Sequence, residues 1–370
     1  MKPRVLVTGA SGFVAGHCVQ LLLDDGYRVR GTVRSLGNEA KVGHLRRLED
    51  ADGNRIELVE ADLNSDAGWD AAVRDCEYVL HVASPFPSET PDDESELITP
   101  AVEGTRRVLA AAANAGVKRV VLTSSMAAIA YGHGDAQSRT YTEADWSDPD
   151  RCEPYQKSKT LAERAAWSFI ESLPQNPQDQ KNQKDQKLEL AVINPGFVLG
   201  PMMSAVGGTS AELISRLLNR GMPACPQLGW AVVDVRDVAR AHLLAMTTPE
   251  AAGNRYICAG EHIWLQDLAK LLAGEFNPHG YRVPTGHLPY WALWLAARFD
   301  KTMRMTLEFV GKKELASHEK ARRELGWEPR PARETLVDMG YSAIALGLAP
   351  DRIGYRARLA DRDGRARPAA

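Results

Sequence analysis

Short apolar runs, each separated from the next by a helix-like stretch, organise the first 195 residues. The runs are RVLVTG (4–9), YRVRGTVR (27–34), IELVEAD (56–62), YVLHVAS (78–84), RVVLTSS (119–125) and LELAVINP (188–195). Between them lie stretches such as GHCVQLLLDDG, DAGWDAAVRDC and AVEGTRRVLAAAANAG. Near-continuous Val, Leu and Ile, without strict polar alternation, mark strands buried on both faces, as in a parallel sheet covered by helices. Crossovers between parallel strands wind right-handed, so the expected fold is α/β, a doubly wound parallel sheet of the Rossmann kind.

After Pro195 the pattern loosens. Residues 196–229 are rich in Gly, Pro and Met, a strand and a helix return over 230–260, and the chain is mostly helical to about Leu348. This divides the chain into a dinucleotide-binding domain, 1–195 plus about 230–260, and a smaller, mostly helical substrate lobe, 196–229 plus about 261–348. PQNPQDQKNQKDQK (174–187) carries no apolar residue and reads as a polar loop insertion, and the arginine-rich 351–370 reads as a disordered tail. HLPYWALWLAARF (287–299) falls short of the ~20 residues that span a bilayer and reads as a buried helix.

A net charge of −3 gives no electrostatic reason to expect nucleic acid, and no apolar run is long enough to expect a membrane. The start, MKPRVLVTGASGF, reaches a glycine turn before an apolar signal region could form. The five cysteines show no C-x-x-C spacing and the nine histidines no ligand cluster, so no disulfide framework and no metal are expected. The reading is a cytoplasmic protein with buried thiols, monomer or homodimer.

VLVTGASGFVAGH (5–17) follows the first strand and opens the first helix. Gly9 allows a tight turn and Gly12 lets the backbone approach a pyrophosphate at the positive end of that helix, with Ala15 at the third small position. Thr8, Gly9, Ser11, Gly12, Phe13 and Val14 are the expected contacts. The second strand ends in GTVRS, with Arg34 where an NAD site would place a carboxylate for the ribose 2′-hydroxyl. Arg34, with Lys41 seven residues on, suits a 2′-phosphate, although a solvated surface place for Lys41 stands equally open. Asp62 and Leu63, after the third strand, can flank an adenine; Asp62 equally suits a helix cap.

In an open α/β sheet the ligand lies beyond the carboxyl ends of the strands. This brings Val82, Ala83 and Ser84 after the fourth strand, Thr123, Ser124 and Ser125 at the fifth, and Pro195, Gly196, Phe197 and Val198 after the sixth to the nicotinamide end. A strand-end serine can donate to a carbonyl oxygen, or simply cap a helix. In EPYQKSKTLAERAAWSFIES, a proline followed by apolar residues at helical spacing puts Tyr155 and Lys159 on one helix face. Free tyrosine titrates near ~10, and an ammonium one turn on lowers that value toward the working range. Phe86, Met126, Phe197, Met202 and Trp230 are candidates for an apolar substrate wall, and each suits the core as well.

These motifs together resemble the extended short-chain dehydrogenase/reductase family, nearest the branch of dihydroflavonol, cinnamoyl-CoA and NADPH-dependent aldehyde/ketone reductases. The resemblance runs from Arg4 to about Leu348 through VTGASGFVAG, GTVR, HVASP, TSS, YxxSKTLAE, INPGFVLGP, VDVRDVARAH and EKARRELGWEPR. It implies NADP(H) as cofactor, a Ser125–Tyr155–Lys159 catalytic trio, Arg34 and Lys41 on the 2′-phosphate, and a small-molecule carbonyl substrate. Ala15 in place of a glycine, the longer 174–187 connection and RCEPYQKSK around the tyrosine depart from the family pattern, the last arguing against a lignin-type thioester. An NAD-dependent sugar epimerase, a hydroxysteroid-type dehydrogenase and a non-catalytic NADP-sensing regulator share the fold. Arg34 argues against the first two and the intact Tyr-x-x-x-Lys pair against the third.

Overall fold

The computed structural model describes residues 2–48, 53, 55–85, 93–134, 139–174, 187–205, 208–298 and 306–356. They form two compact units: Met1–Gly196, Val235–Ala259 and Ala316–Pro329 in the first; Phe197–Asp234, Gly260–Leu315 and Arg330–Ala370 in the second.

The first unit is built on a seven-stranded sheet. Its strands are β1 (Arg4–Val7), β2 (Arg28–Val33), β3 (Glu57–Glu60), β4 (Tyr78–His81), β5 (Arg119–Thr123), β7 (Glu189–Pro195) and β10 (Asn254–Cys258); β6 (Thr140–Tyr141) lies outside it. The order is β10-β7-β5-β4-β1-β2-β3, and every pairing is parallel. Connections run one way from β1 through β2 to β3 and the other way from β4 onward, so the order reverses between β1 and β4. A ligand crevice opens at such a reversal. All four residues of β4 are buried, which explains the absence of alternation in its sequence.

On one face the helices α3 (Trp69–Val73), α4 (Ser95–Asn114) and α5 (Pro154–Ser172) cover a core that includes Leu6, Val79, Leu109, Val120, Leu122 and Leu190. Full burial of a side chain of this kind contributes roughly 1.5–3 kcal/mol. Helices α1 (Phe13–Asp24) and α7 (Val235–Thr247) also pack against each other. Two buried arginines close the amino edge of the sheet. Arg30 donates to the carbonyls of Ala71, Ala72 and Arg74 at the end of α3. Arg119 donates to Ala245 and Thr248 at the end of α7 and pairs with Glu189 at 2.7 Å. Cations there answer the carbonyls that a helix C-terminus leaves over.

The second unit holds a three-stranded sheet of β8 (Phe197–Leu199), β9 (Gly229–Asp234) and β11 (His262–Trp264), with β8 parallel and β11 antiparallel to β9. Its helices include α6 (Thr209–Leu218), α8 (Leu265–Phe276), α9 (Tyr290–Ala296) and Ala332–Ala345, α2 (Glu39–Val42) being a short piece of the first unit. The boundary therefore differs from the sequence reading: β9 leaves the large sheet, and Ala316–Pro329 joins the first unit. The buried Trp327 accounts for the latter, because its indole N–H donates to the Asp237 carbonyl at 2.7 Å.

Two further expectations are corrected. The 287–299 stretch is not a buried helix: α9 exposes Tyr290, Trp291, Trp294 and Leu295, Trp291 by 69%, and buries only Leu293 of its own residues. Its apolar residues sit on all sides of a two-turn helix, and one such helix can turn only one side inward. The tail begins ordered rather than disordered. Asp351 accepts from the amides of Tyr355 and Arg356, and Arg356 Nε donates to the Ile344 carbonyl at 2.9 Å. Residues 357–370, most of the 174–187 insertion, and Phe86 lie outside the described residues.

Candidate active site

The turn after β1 is fastened to the end of β4. Thr8 is fully buried, its Oγ1 2.8 Å from His81 Nδ1, and it accepts from the Ala83 amide at 3.0 Å. Gly9 has φ +63, and a Cβ there would stand 3.0 Å from that of Ala83, so only glycine fits without strain. Its amide donates to Thr32 Oγ1 on β2. Gly12 caps α1 with extended backbone, no side chain bonds to the helix amides at the cap, and no acidic residue occupies the first turn. The N–H groups around Phe13 and Val14, beside Ser11, are thus left for an outside anion at the positive end of the helix. A Cβ on Gly12 would stand 3.2 Å from the Gly9 carbonyl, and Ala15 is fully buried, as close helix–strand packing needs. These residues fit a pyrophosphate.

At the next strand ends, the Ala61 amide bonds the Val33 carbonyl, so Arg34 and Asp62 follow just past the ends of the neighbouring strands β2 and β3. Arg34 is exposed, and forms no ion pair among the described residues. Lys41 lies partly buried in the last turn of α2. Asp62 does not cap a helix: its carboxylate accepts from the Asn64 amide at 2.9 Å, and α3 starts later, behind Gly68. A carboxylate two residues before an amide builds a tight turn instead. Leu63 packs against the core.

The serines after β5 part company. Ser124 Oγ donates to Glu163 at 2.5 Å in the interior. Ser125 Oγ accepts from the Ala127 amide at 3.0 Å, which makes it a helix cap, and it also bonds the Tyr155 hydroxyl. Pro154 at the first position of α5, with Glu153 extended before it, starts the helix so that Tyr155 lies in its first turn. One turn on, Lys159 Nζ donates to Ser84 Oγ, beyond β4, at 2.9 Å. Groups from β4, β5 and α5 thus converge beside the reversal point, next to Val82 and Ala83.

The electrostatics differ from the sequence expectation. Burial pushes the Tyr155 hydroxyl above its ordinary value, and the bond to Ser125 pulls it part of the way back. Lys159 does not lower it as foreseen, since its ammonium aims at Ser84. Lys159 itself is brought down to about 8 by burial, with Glu163 acting upward. His81, buried and near Lys159, falls to about 3 and is neutral at any ordinary pH.

Thr123 is turned inward. The Val238 carbonyl can only accept, so His242 carries its proton on Nδ1, and Nε2 accepts from Thr123 Oγ1 at 2.6 Å. The proton of that hydroxyl is thereby taken by His242 and not offered to a cofactor. Pro195 ends β7, and the Gly196 amide bonds the Cys258 carbonyl. Of the proposed apolar wall, Met126 is 2% and Met202 8% exposed, which makes both core residues. In the second unit Phe197, next to Val198 on β8, stacks on Trp230 with ring centres 4.8 Å apart. Sequence reasoning missed Glu163, Asn194 and Arg255, which lie directly behind the serines. Their mutual contacts span up to 92 positions, and no local spacing announces them.

A parallel sheet reversing at β1 and β4, with a glycine turn feeding a helix there, defines a dinucleotide-binding enzyme fold. The chain belongs to the NAD dependent epimerase/dehydratase family, whose profile matches residues 5–259, and it is an oxidoreductase. It is 40% identical over 255 residues to cinnamoyl-CoA reductase CAD2 of Medicago truncatula, covering 67% of this chain and 74% of that one. To tetraketide alpha-pyrone reductase 1 of Arabidopsis thaliana it is 35% identical over 316 residues, 83% and 87% of the two chains. Among solved structures, yeast methylglyoxal/isovaleraldehyde reductase Gre2 complexed with NADPH matches with a TM-score of 0.73 at 29% identity, covering 93% and 99%.

Proposed function

We propose that the protein reduces an aldehyde or ketone to an alcohol with NADPH, and that Ser125, Tyr155 and Lys159 carry the reaction. One observation carries the reading: a tyrosine bonded to a strand-end serine, with a lysine one turn on, beside a glycine turn fit for pyrophosphate. The NADPH-complexed reductase relative supports the choice of cofactor, as does the exposed Arg34 in place of a carboxylate.

Bound NADPH supplies the hydride. Ser125 and Tyr155 hold the carbonyl oxygen between two hydroxyls, so that negative charge developing on it meets donors already in place. Tyr155 gives that oxygen its proton. Lys159, whose ammonium Ser84 fixes in place, donates to the nicotinamide ribose. Arg34 and Lys41 hold the 2′-phosphate. The α1 amides hold the pyrophosphate.

The 40% identity to a cinnamoyl-CoA reductase is the specific observation favouring a second substrate class, an acyl thioester. The RCEPYQKSK sequence around Tyr155 weighs against it. Purified protein is assayed for NADPH and NADH oxidation with aldehydes, ketones, diketones, dihydroflavonols and an aromatic acyl-CoA, alongside Tyr155→Phe. Carbonyl-dependent turnover that prefers NADPH and vanishes in the variant is the expected result. NADPH binding without turnover on any member of the panel overturns the reading.

A further inference from the structure

Glu163 has no exposed surface, and it stands one helical turn beyond Lys159 on α5. Four neighbours donate to its carboxylate: Ser124 Oγ at 2.5 Å, Asn194 Nδ2 at 2.8 Å, Arg255 Nη2 at 3.0 Å and Trp167 Nε1 at 3.3 Å, with Arg255 Nε in ion-pair contact at 2.8 Å. Asn194 Nδ2 also reaches the Ser125 carbonyl at 3.2 Å. Arg255 lies over the Trp146 ring at 3.8 Å and donates to the Asp145 carbonyl. One carboxylate thus gathers the residue beside Ser125, a residue bonded to Ser125, and the helix that bears Tyr155 and Lys159.

Stability alone does not call for such an arrangement. A buried ion pair repays its desolvation poorly, and apolar residues of the same shape often serve as well. Its geometry, by contrast, fixes α5 against the ends of β5, β7 and β10 at the turn that holds the site. We propose that Glu163 is a positioning residue of the reductase site, its buried carboxylate holding Lys159 charged and Ser125 in place. This rests on the function proposed above.

The charges around the pair have a definite sense. Lys159 faces Glu163 on its own helix, Ser84 beyond β4, and the neutral His81 on β4, with Tyr155 one turn before it on α5. Glu163 faces Arg255 from β10, itself near Glu143 and Arg164. Burial draws the Lys159 proton off and Glu163 holds it on. Removing the carboxylate therefore lets Lys159 lose its proton at a lower pH.

The test compares wild type, Glu163→Gln, and the double variant Glu163→Gln with Arg255→Met, which removes the ion pair whole and leaves no unpaired buried arginine. Lysines are reductively methylated with ¹³C-formaldehyde, and the Lys159 resonance, assigned by its loss in Lys159→Arg, is titrated by NMR. The pH profile of NADPH-dependent reduction is recorded on the unmethylated proteins. In the double variant the Lys159 midpoint and the alkaline limb of the profile both move down by about one pH unit. Ser124→Ala, which keeps every charge, lowers kcat about tenfold with the midpoint unmoved, as expected when one hydrogen bond to a charged group is lost. A double variant with wild-type midpoint and profile overturns the proposal and leaves Glu163 a partner of Arg255 only. Wild-type protein that turns over no carbonyl, yet shows the midpoint shift on mutation, overturns the proposed function and keeps the Glu163–Lys159 coupling.

Discussion

The two edges of the seven-stranded sheet use buried cations in opposite ways. At the amino edge Arg119, 3% exposed, is met by Glu189 and by carbonyls at the end of α7, and Arg30 by Glu57 and the carbonyls that end α3. At the carboxyl edge Lys159 is met by one hydroxyl at 2.9 Å, and burial brings its proton affinity down to about 8. Where carbonyls and a carboxylate stand against the charge, it is spent on holding the fold. Where it is left under-answered, the group stays responsive to a ligand.

Tyr155→Phe makes the sharpest test of this contrast. It removes one hydroxyl at the carboxyl edge and should lower kcat/KM by about 10²–10⁴-fold, with NADPH binding and melting temperature held. Arg34→Ser, at the same edge, should raise the KM for NADPH about 10–100-fold and leave NADH untouched, as expected from a charged contact of about 1.5–3 kcal/mol. At the amino edge, Arg119→Met should cost about 2 kcal/mol and lower the melting temperature by roughly 4–8 °C, with kcat per folded molecule unchanged. Activity loss without unfolding in Arg119→Met would erase the distinction between the edges.

Activity should fall as pH rises through about 8, where Lys159 loses its proton, and the kcat/KM profile from pH 6 to 10 checks this. The smallest effect carries the clearest sign. Because the folded-state value of Lys159 lies below its unfolded one, the folded protein holds fewer protons between about 8 and 10.5, and the wild type gains stability as pH rises through that window. Lys159→Met should therefore be inactive yet melt about 2 °C higher at pH 7, and that advantage should shrink toward pH 10. Melting curves at both pH values measure it.

The sheet, the glycine turn after β1 and the spacing of Tyr155 and Lys159 by one turn of α5 were legible in the sequence because each is local. A strand buried on both faces shows as an apolar run, and four residues make one helical turn. Glu163 was not legible, since its meaning comes from Arg255, Asn194 and Ser124, which only the fold brings near. The inward turn of Thr123 was hidden for the same reason, because His242 lies 119 positions away. In α9, apolar composition pointed inward where the fold keeps Trp291 outside. Burial is a property of the whole assembly of elements, and composition alone predicts it poorly for a short helix.

The five cysteines are unequally placed, and this opens the site to optical observation. Cys18, Cys76, Cys225 and Cys258 are buried, with the thiols of Cys18 and Cys76 pushed up to about 12 and about 11, while Cys152 is partly exposed. A thiol-directed dye should therefore settle on Cys152 first. That position is three residues before Tyr155, so its emission would report ligand arrival and departure in real time, on a protein whose other thiols need no removal.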